Sequence, residues 1–163
     1  MILTLPKKFN NAIMDIFVPE DNPLFKITLV TGGILLYNIS GVLIAQIFAK
    51  ENSATASVAD SASIKIEKGA NGYTISQPEI QSTEKKKINR PLSERVLKSE
   101  FTLFGKPQFG HYQIFEKKPS EKKPSVVATV ITSPIDDKHL KIKIEEGGNV
   151  LRIITIILAI ALL

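Results

Sequence analysis

Cysteine and tryptophan are absent from this chain, and it contains only two histidines, His111 and His139. Without cysteine the chain can form no disulfide, no thiolate metal site and no thiol nucleophile. The two histidines lie far apart with no companion motif, so their spacing does not match a zinc site. A Walker loop and a serine nucleophile elbow are missing as well. We therefore predict that the protein is not an enzyme and has no catalytic residue, cofactor or metal.

Charged residues are missing from two long stretches. Of the 21 lysines and arginines, 17 lie within residues 50–149, together with 13 of the 16 acidic residues. Residues 27–49 and 153–163 carry no charge. About 100 residues thus remain for a folded domain, which is too short for a large enzyme.

The uncharged run 27–49 is bounded by Lys26 and Lys50. As a helix it would be roughly 34 Å long, enough to cross a hydrocarbon core of about 30 Å. It exceeds the apolar region of a cleaved signal peptide, and the remaining chain is small for enclosing so apolar a helix. We predict an uncleaved transmembrane helix, with a buried core helix and a cleaved signal peptide as alternatives.

Most residues at one set of positions with spacing four within this run are small. Gly33, Tyr37, Gly41 and Ala45 would share one helical face, and small side chains let helices approach closely in lipid. We predict that these four residues support helix association, either in a homodimer or with another membrane helix.

Residues 1–26 are predicted to be a cytoplasmic arm. Apolar residues at helical spacing indicate a short amphipathic helix over 9–17. Lysines flank the apolar run equally on both sides, but long segments cross the membrane largely regardless of charge. This favours a single-pass protein of the bacterial inner membrane, with a cytoplasmic N-terminus and a periplasmic C-terminal region.

Residues 50–125 are predicted to form a linker. Helical spacing indicates a helix over 92–104, and the pentapeptide Glu-Lys-Lys-Pro-Ser occurs twice in succession over 116–125. Proline at every fifth position forbids regular helix, so the repeat is predicted to be an extended spacer. The basic runs lack interleaved aromatic residues, so we predict a solvated linker rather than a nucleic-acid site.

Residues 126–163 are predicted to be rich in β-structure. A run of β-branched residues covers 126–132, and apolar residues alternate with lysines over 140–144. The Gly147-Gly148 pair indicates a hairpin turn onto a return strand over 150–157. The alternative for 150–163 is a second, short membrane segment.

Two groups of residues carry a family resemblance. One is the tripeptide Leu103-Phe104-Gly105, and the other is the pattern of two strands and an acidic Gly-Gly turn over 129–148. With the order of arm, anchor, linker and β-domain, they resemble protein C of the bacterial type II secretion system. The resemblance implies a non-catalytic inner-membrane scaffold that links platform proteins to the outer-membrane secretin. The residues predicted to bind the partner are Val130, Lys141 and Lys143.

The predicted fold class is thus a single N-terminal transmembrane α-helix, a flexible linker and a small, sandwich-like all-β domain. The alternative function is a small two-span structural or accessory subunit of another membrane complex. An energy transducer of the TonB type also combines an anchor with a lysine-proline spacer, but its long alternating Pro-Lys and Pro-Glu tract is absent.

Overall fold

The computed structural model describes residues 1–7, 13–17, 23–59, 63–70, 72–77, 99–135 and 138–163. Over these ranges the chain forms twelve β-strands and one α-helix. The strands are β1 (Ile2–Pro6), β2 (Ile13–Phe17), β3 (Pro23–Val30), β4 (Gly33–Asn38), β5 (Leu43–Lys50), β6 (Ser53–Val58), β7 (Ile64–Gly69), β8 (Gly72–Ser76), β9 (Glu100–Lys106), β10 (His111–Lys117), β11 (Ser125–Thr132) and β12 (His139–Ile144). The helix is α1 (Val150–Leu162).

The strands form one antiparallel sheet in the order β8-β7-β6-β5-β4-β3-β2-β1-β12-β11-β10-β9. Its two edge strands, β8 and β9, contact each other. Beside them, Gln77 Nε2 donates a hydrogen bond of 3.1 Å to the carbonyl oxygen of Ser99. The sheet therefore curls until its first and last strands meet, and it has an inner and an outer face.

Alternating side chains fill the inner face. In β12, Leu140, Ile142 and Ile144 are buried, and in β1 Leu3 and Leu5 are fully buried. The same period of two runs through the other strands of the core cluster, because successive side chains of a strand point to opposite faces.

Helix α1 lies inside the curled sheet. Residues 153–160 are all buried. Eight consecutive residues at 100° each cover the whole circumference of a helix, so α1 is enclosed on every side. The Asn149 side chain accepts a hydrogen bond of 3.1 Å from the amide of Arg152 and caps the first turn. Thr155 is buried without cost because its hydroxyl donates to the Leu151 carbonyl at 2.7 Å.

The predicted transmembrane helix over 27–49 is wrong. This segment forms the second half of β3, all of β4 and nearly all of β5. Two turns divide it, one at Thr31-Gly32 and one after Asn38, whose Oδ1 accepts from the amides of Ser40 at 3.0 Å and Val42 at 2.9 Å. Each piece is a strand with one face in the core. The absence of charge in this run therefore reflects buried strands and not a helix.

The predicted helix-association face is wrong for the same reason. Gly33 and Tyr37 lie at the two ends of β4, Gly41 lies in the turn, and Ala45 lies on β5 with its side chain buried. Spacing four places residues on one face of a helix, but here it falls on two antiparallel strands and the turn between them.

Three further predictions of secondary structure fail. Where a helix was predicted over 9–17, the structure has a strand at Ile13–Phe17. Where a helix was predicted over 92–104, it has a strand from Glu100 onward. Residues 9–12 and 92–98 lie outside the described ranges. The predicted return strand over 150–157 is part of α1.

The predictions for β11 and β12 agree with the structure, since strands occur at Ser125–Thr132 and His139–Ile144. None of the described helices has the length and apolarity that a membrane span requires. The predicted fold class, with its single N-terminal transmembrane helix, is therefore wrong. The predicted single-pass inner-membrane localisation, which depended on this helix, is wrong as well.

Candidate functional site: the outer face of strands β9 to β12

Strands β9 to β12 are consecutive neighbours, and their outward side chains form a continuous surface. Gln113 lies opposite Phe104, Thr129 opposite Lys143, and Ile131 opposite Lys141. Such pairs have Cα atoms about 4.5–5.5 Å apart, so side chains of adjacent strands touch. We call the five residues Phe104, Phe115, Ile131, Lys141 and Lys143 the docking face.

Two aromatic rings form the apolar part of the docking face. Phe104 is 60% exposed, although it belongs to a strand. Its ring packs edge-on against Phe115, with centroids 5.1 Å apart and planes at 78°. This is a favoured geometry for aromatic pairs. The contact holds Phe104 in place and leaves much of its surface open to a partner.

Gly105 explains why this strand can pack so closely on β10. Its φ is +119°, a conformation that side chains with a Cβ rarely adopt. A Cβ at this position would lie 2.6 Å from the His111 carbonyl oxygen and 2.7 Å from the Tyr112 Cα. The Leu-Phe-Gly tripeptide thus places a close backbone contact directly after the exposed aromatic ring.

Lysines form the charged part of the docking face. Lys141 and Lys143 alternate with the buried Leu140, Ile142 and Ile144 and therefore point outward. Lys143 Nζ lies 3.3 Å from Glu145 Oε1, but the two side chains are 60% and 39% exposed, so the pair is weak and can exchange partners.

The pentapeptide repeat lies beside the docking face. Residues 118–124 connect β10 to β11 and carry Lys118, Lys122 and Lys123; we call them the lysine loop. Val126, which follows the loop, pairs with Phe115. The repeat is therefore a hairpin connection that adds positive charge at one end of the docking face, and not an extended spacer.

The charge balance of the outer face is positive. Along β9 to β12 the outward charged residues are Glu100 and the lysines at 106, 117, 141 and 143. Lys106 Nζ also lies 5.9 Å from the ring centroid of Phe109, just beyond the strand. This surface attracts acidic groups.

The predicted partner-binding residues divide between the two faces. Lys141 and Lys143 lie on the docking face, whereas Val130 is fully buried and packs in the core. Their role in binding stays a prediction. Phe104 was missed because a helix was predicted over 92–104, and Phe115 was missed because residues 50–125 were predicted to form a linker. The buried Tyr112 and Ile114, with exposed Gln113 between them, give the strand signal in the next segment.

Few polar side chains of the described residues are buried inside the fold; they include Glu116 and Thr155. Among the described residues no group of three or more histidines and acidic residues is placed to hold a metal ion. Burial raises the pKa of the Tyr112 phenol, and the nearby Tyr73 raises it further. Burial also raises the pKa of Tyr73. Both phenols therefore stay protonated well into the alkaline range.

Comparison with known proteins identifies a fold and no family. No family model matches the chain, and no curated protein matches it. The structure is similar to the X-ray structure of a protein from Arabidopsis thaliana, with a TM-score of 0.60 and 10% sequence identity. The match covers 96% of this chain and 89% of that one. At this identity the likeness extends to the fold alone.

Proposed function

We propose that the protein is a non-catalytic binding module that docks an acidic protein segment on the docking face. The observation that carries the proposal is the position of Phe104, a fixed and mostly exposed ring on the same outer face as Lys141 and Lys143, which lie three strands away on β12. Aromatic residues dominate the binding energy of protein interfaces. Charges around them accelerate association and select the partner.

The chemistry of the partner follows from this arrangement. An apolar side chain of the partner can pack on Phe104, while carboxylates farther along the same segment, where it crosses β11 and β12, reach Lys141 and Lys143. The lysine loop extends the positive electrostatic field beyond one end of the docking face. Further acidic residues along the partner's chain would therefore add to binding. We therefore expect a segment in which aspartate or glutamate flanks a large apolar residue.

Of the scaffold role expected from the sequence, this proposal keeps only the binding of a protein partner. Because residues 27–49 form strands, they are not the membrane-spanning helix on which the type II secretion assignment was based. The N-terminal region of an outer-membrane secretin, the predicted partner, is one defined ligand to test on the docking face.

Selection from a displayed library of random peptides tests the proposal. We expect the full chain to enrich peptides that combine acidic and apolar residues. Phe104→Ser should weaken their binding by about tenfold or more, because it removes the anchor. Ile39→Ser is the matched control, since Ile39 is 74% exposed in the turn between β4 and β5.

The charge requirement needs its own pair of variants. Lys141→Glu with Lys143→Glu should slow association and reduce its dependence on salt. Lys26→Glu with Lys65→Glu is the control, because it makes the same change in net charge elsewhere, and Lys65 pairs with Glu67 much as Lys143 does with Glu145. Equal losses in both double variants, or Phe104-dependent binding of a single-stranded oligonucleotide without any enriched peptide, would refute the proposal.

A further inference from the structure

The Glu-Lys-Lys-Pro-Ser repeat places two serines in the same local sequence but in different backbone settings. Ser120 and Ser125 each follow a Lys-Lys-Pro tripeptide. Ser120 lies in a turn of the lysine loop, in which the Glu121 amide donates to the Lys118 carbonyl at 2.9 Å. Ser125 is the first residue of β11 and pairs with Glu116 of β10.

Ser120 is open to other proteins. Pro119, Ser120, Lys122 and Lys123 are all exposed. Outside the turn, the backbone of the lysine loop belongs to no strand ladder. An enzyme can therefore engage the backbone of residues 118–120 without opening the sheet and meet the side chain of Lys117 at the end of β10, whereas reaching Ser125 in the same way requires it to separate β10 from β11.

We propose that Ser120 is a phosphorylation site for a serine/threonine kinase with an acidic substrate cleft, and that its phosphate weakens docking of the acidic partner. Lys117 and Lys118 lie three and two residues before the serine, where a cleft lined with carboxylates can bind both ammonium groups. Kinases select substrates by such charge patterns. The regulatory half of this proposal rests on the proposed function.

The reaction needs only a nucleoside triphosphate and Mg²⁺ from outside. Ser120 Oγ attacks the γ-phosphorus, the bond from that phosphorus to the bridging oxygen breaks, and the nucleoside diphosphate leaves. The hydroxyl proton passes to the catalytic aspartate of the kinase. The product is phosphoserine, and no oxidation or reduction takes place.

The phosphate would change the charge of the lysine loop. Residues 117–124 contain four lysines and one glutamate, a net charge of +3. A phosphoserine adds a charge of about −1.5 to −2 at neutral pH, and its oxygens bind nearby ammonium groups. Residues 117–124 would then carry a net charge of about +1 to +1.5, with some lysines bound to the phosphate, so they would attract an acidic partner less strongly.

Phosphorylation of the folded full chain tests the site without any partner. A purified serine/threonine kinase that prefers basic substrates is supplied with ATP and Mg²⁺, and fragment masses locate the phosphate. We expect Ser120 to be modified at least tenfold faster than Ser125 in the folded chain, and at a similar rate after denaturation. Ser120→Ala should abolish the fast modification.

Paired variants test the role of the lysines. Lys117→Gln with Lys118→Gln should slow modification of Ser120 more than Lys122→Gln with Lys123→Gln does. Equal rates at the two serines of the folded chain, or no phosphate on Ser120, would overturn the site itself.

The regulatory half is measured with an acidic peptide from the library selection. Phosphorylation should raise its Kd by about two- to fivefold, as expected for exposed charges. Kinase-treated Ser120→Ala protein is the control. An unchanged Kd would overturn the regulation while leaving both the modification site and the docking proposal standing.

Discussion

The ring of Phe48 on β5 covers Gly33 on β4. The two residues lie directly opposite each other in the register, and a Cβ built on Gly33 would lie 2.6 Å from Phe48 Cδ1 and closer still to the Ile47 carbonyl oxygen. Glycine is therefore required here by the close approach of the neighbouring strand and its aromatic side chain. When only the spacing of small residues is considered, Gly33 also fits a motif for packing between helices.

The first prediction concerns this pair. Gly33→Ala should reduce the free energy of unfolding by about 1–3 kcal/mol, because the added methyl group overpacks the contact. Adding Phe48→Ala should relieve only part of this cost, since the Ile47 carbonyl belongs to the backbone. Urea denaturation of both single variants and the double variant measures the coupling. Unchanged stability of Gly33→Ala would show that β4 and β5 do not pack as described.

The misreading of 27–49 has a physical cause. Period-two alternation is visible only where the outer face is polar, and here the outward positions include Val30, Leu43 and Phe48. The turns at Thr31-Gly32 and after Asn38 were the available signal. Conversely, β12 could be predicted because its outward positions, Lys141 and Lys143, are charged. The two halves of the sheet are joined by pairing between β1 and β12, which are far apart in the sequence, and no local pattern predicts this pairing.

The second prediction concerns the enclosed helix. Ile156 is fully buried, so Ile156→Ala should lower the free energy of unfolding by about 2–5 kcal/mol. Leu162, near the end of α1, is only partly buried, and Leu162→Ala should cost less. Denaturant titrations of both variants provide the comparison. Equal small effects would show that α1 is not enclosed by the sheet.

A third prediction separates the two faces of β12. Ile142→Asp should unfold the protein, because it buries a charge that has no partner. The double variant Lys141→Glu with Lys143→Glu should keep the β-rich circular dichroism spectrum, since exposed ion pairs are worth at most about 1 kcal/mol. If the double lysine variant also unfolds, Lys141 and Lys143 are needed for the fold and not only for binding a partner.

The fourth prediction concerns alkaline pH. The pKa of Tyr112 is raised in the folded state, so above the ordinary tyrosine pKa of about 10 the unfolded chain releases a proton that the folded chain keeps. The free energy of unfolding should then fall as the pH rises, by up to about 1.4 kcal/mol per pH unit for this group.

Tyr112→Phe should flatten this alkaline slope. Tyr73→Phe should flatten it less, because Tyr73 is only partly buried. Denaturant titrations between neutral and alkaline pH measure the slopes, and tyrosinate absorbance reports the ionisation. An identical slope in wild type and Tyr112→Phe would be inconsistent with a buried phenol at this position.

The most direct test of the central claim is an amide chemical-shift titration of the full chain with an acidic peptide enriched by library selection. The docking face predicts saturable shifts on β9 to β12, centred on Phe104, Ile131 and Lys141, and their loss in Phe104→Ser. Shifts centred instead on β3 to β5, around the exposed Val30 and Phe48, would contradict the account.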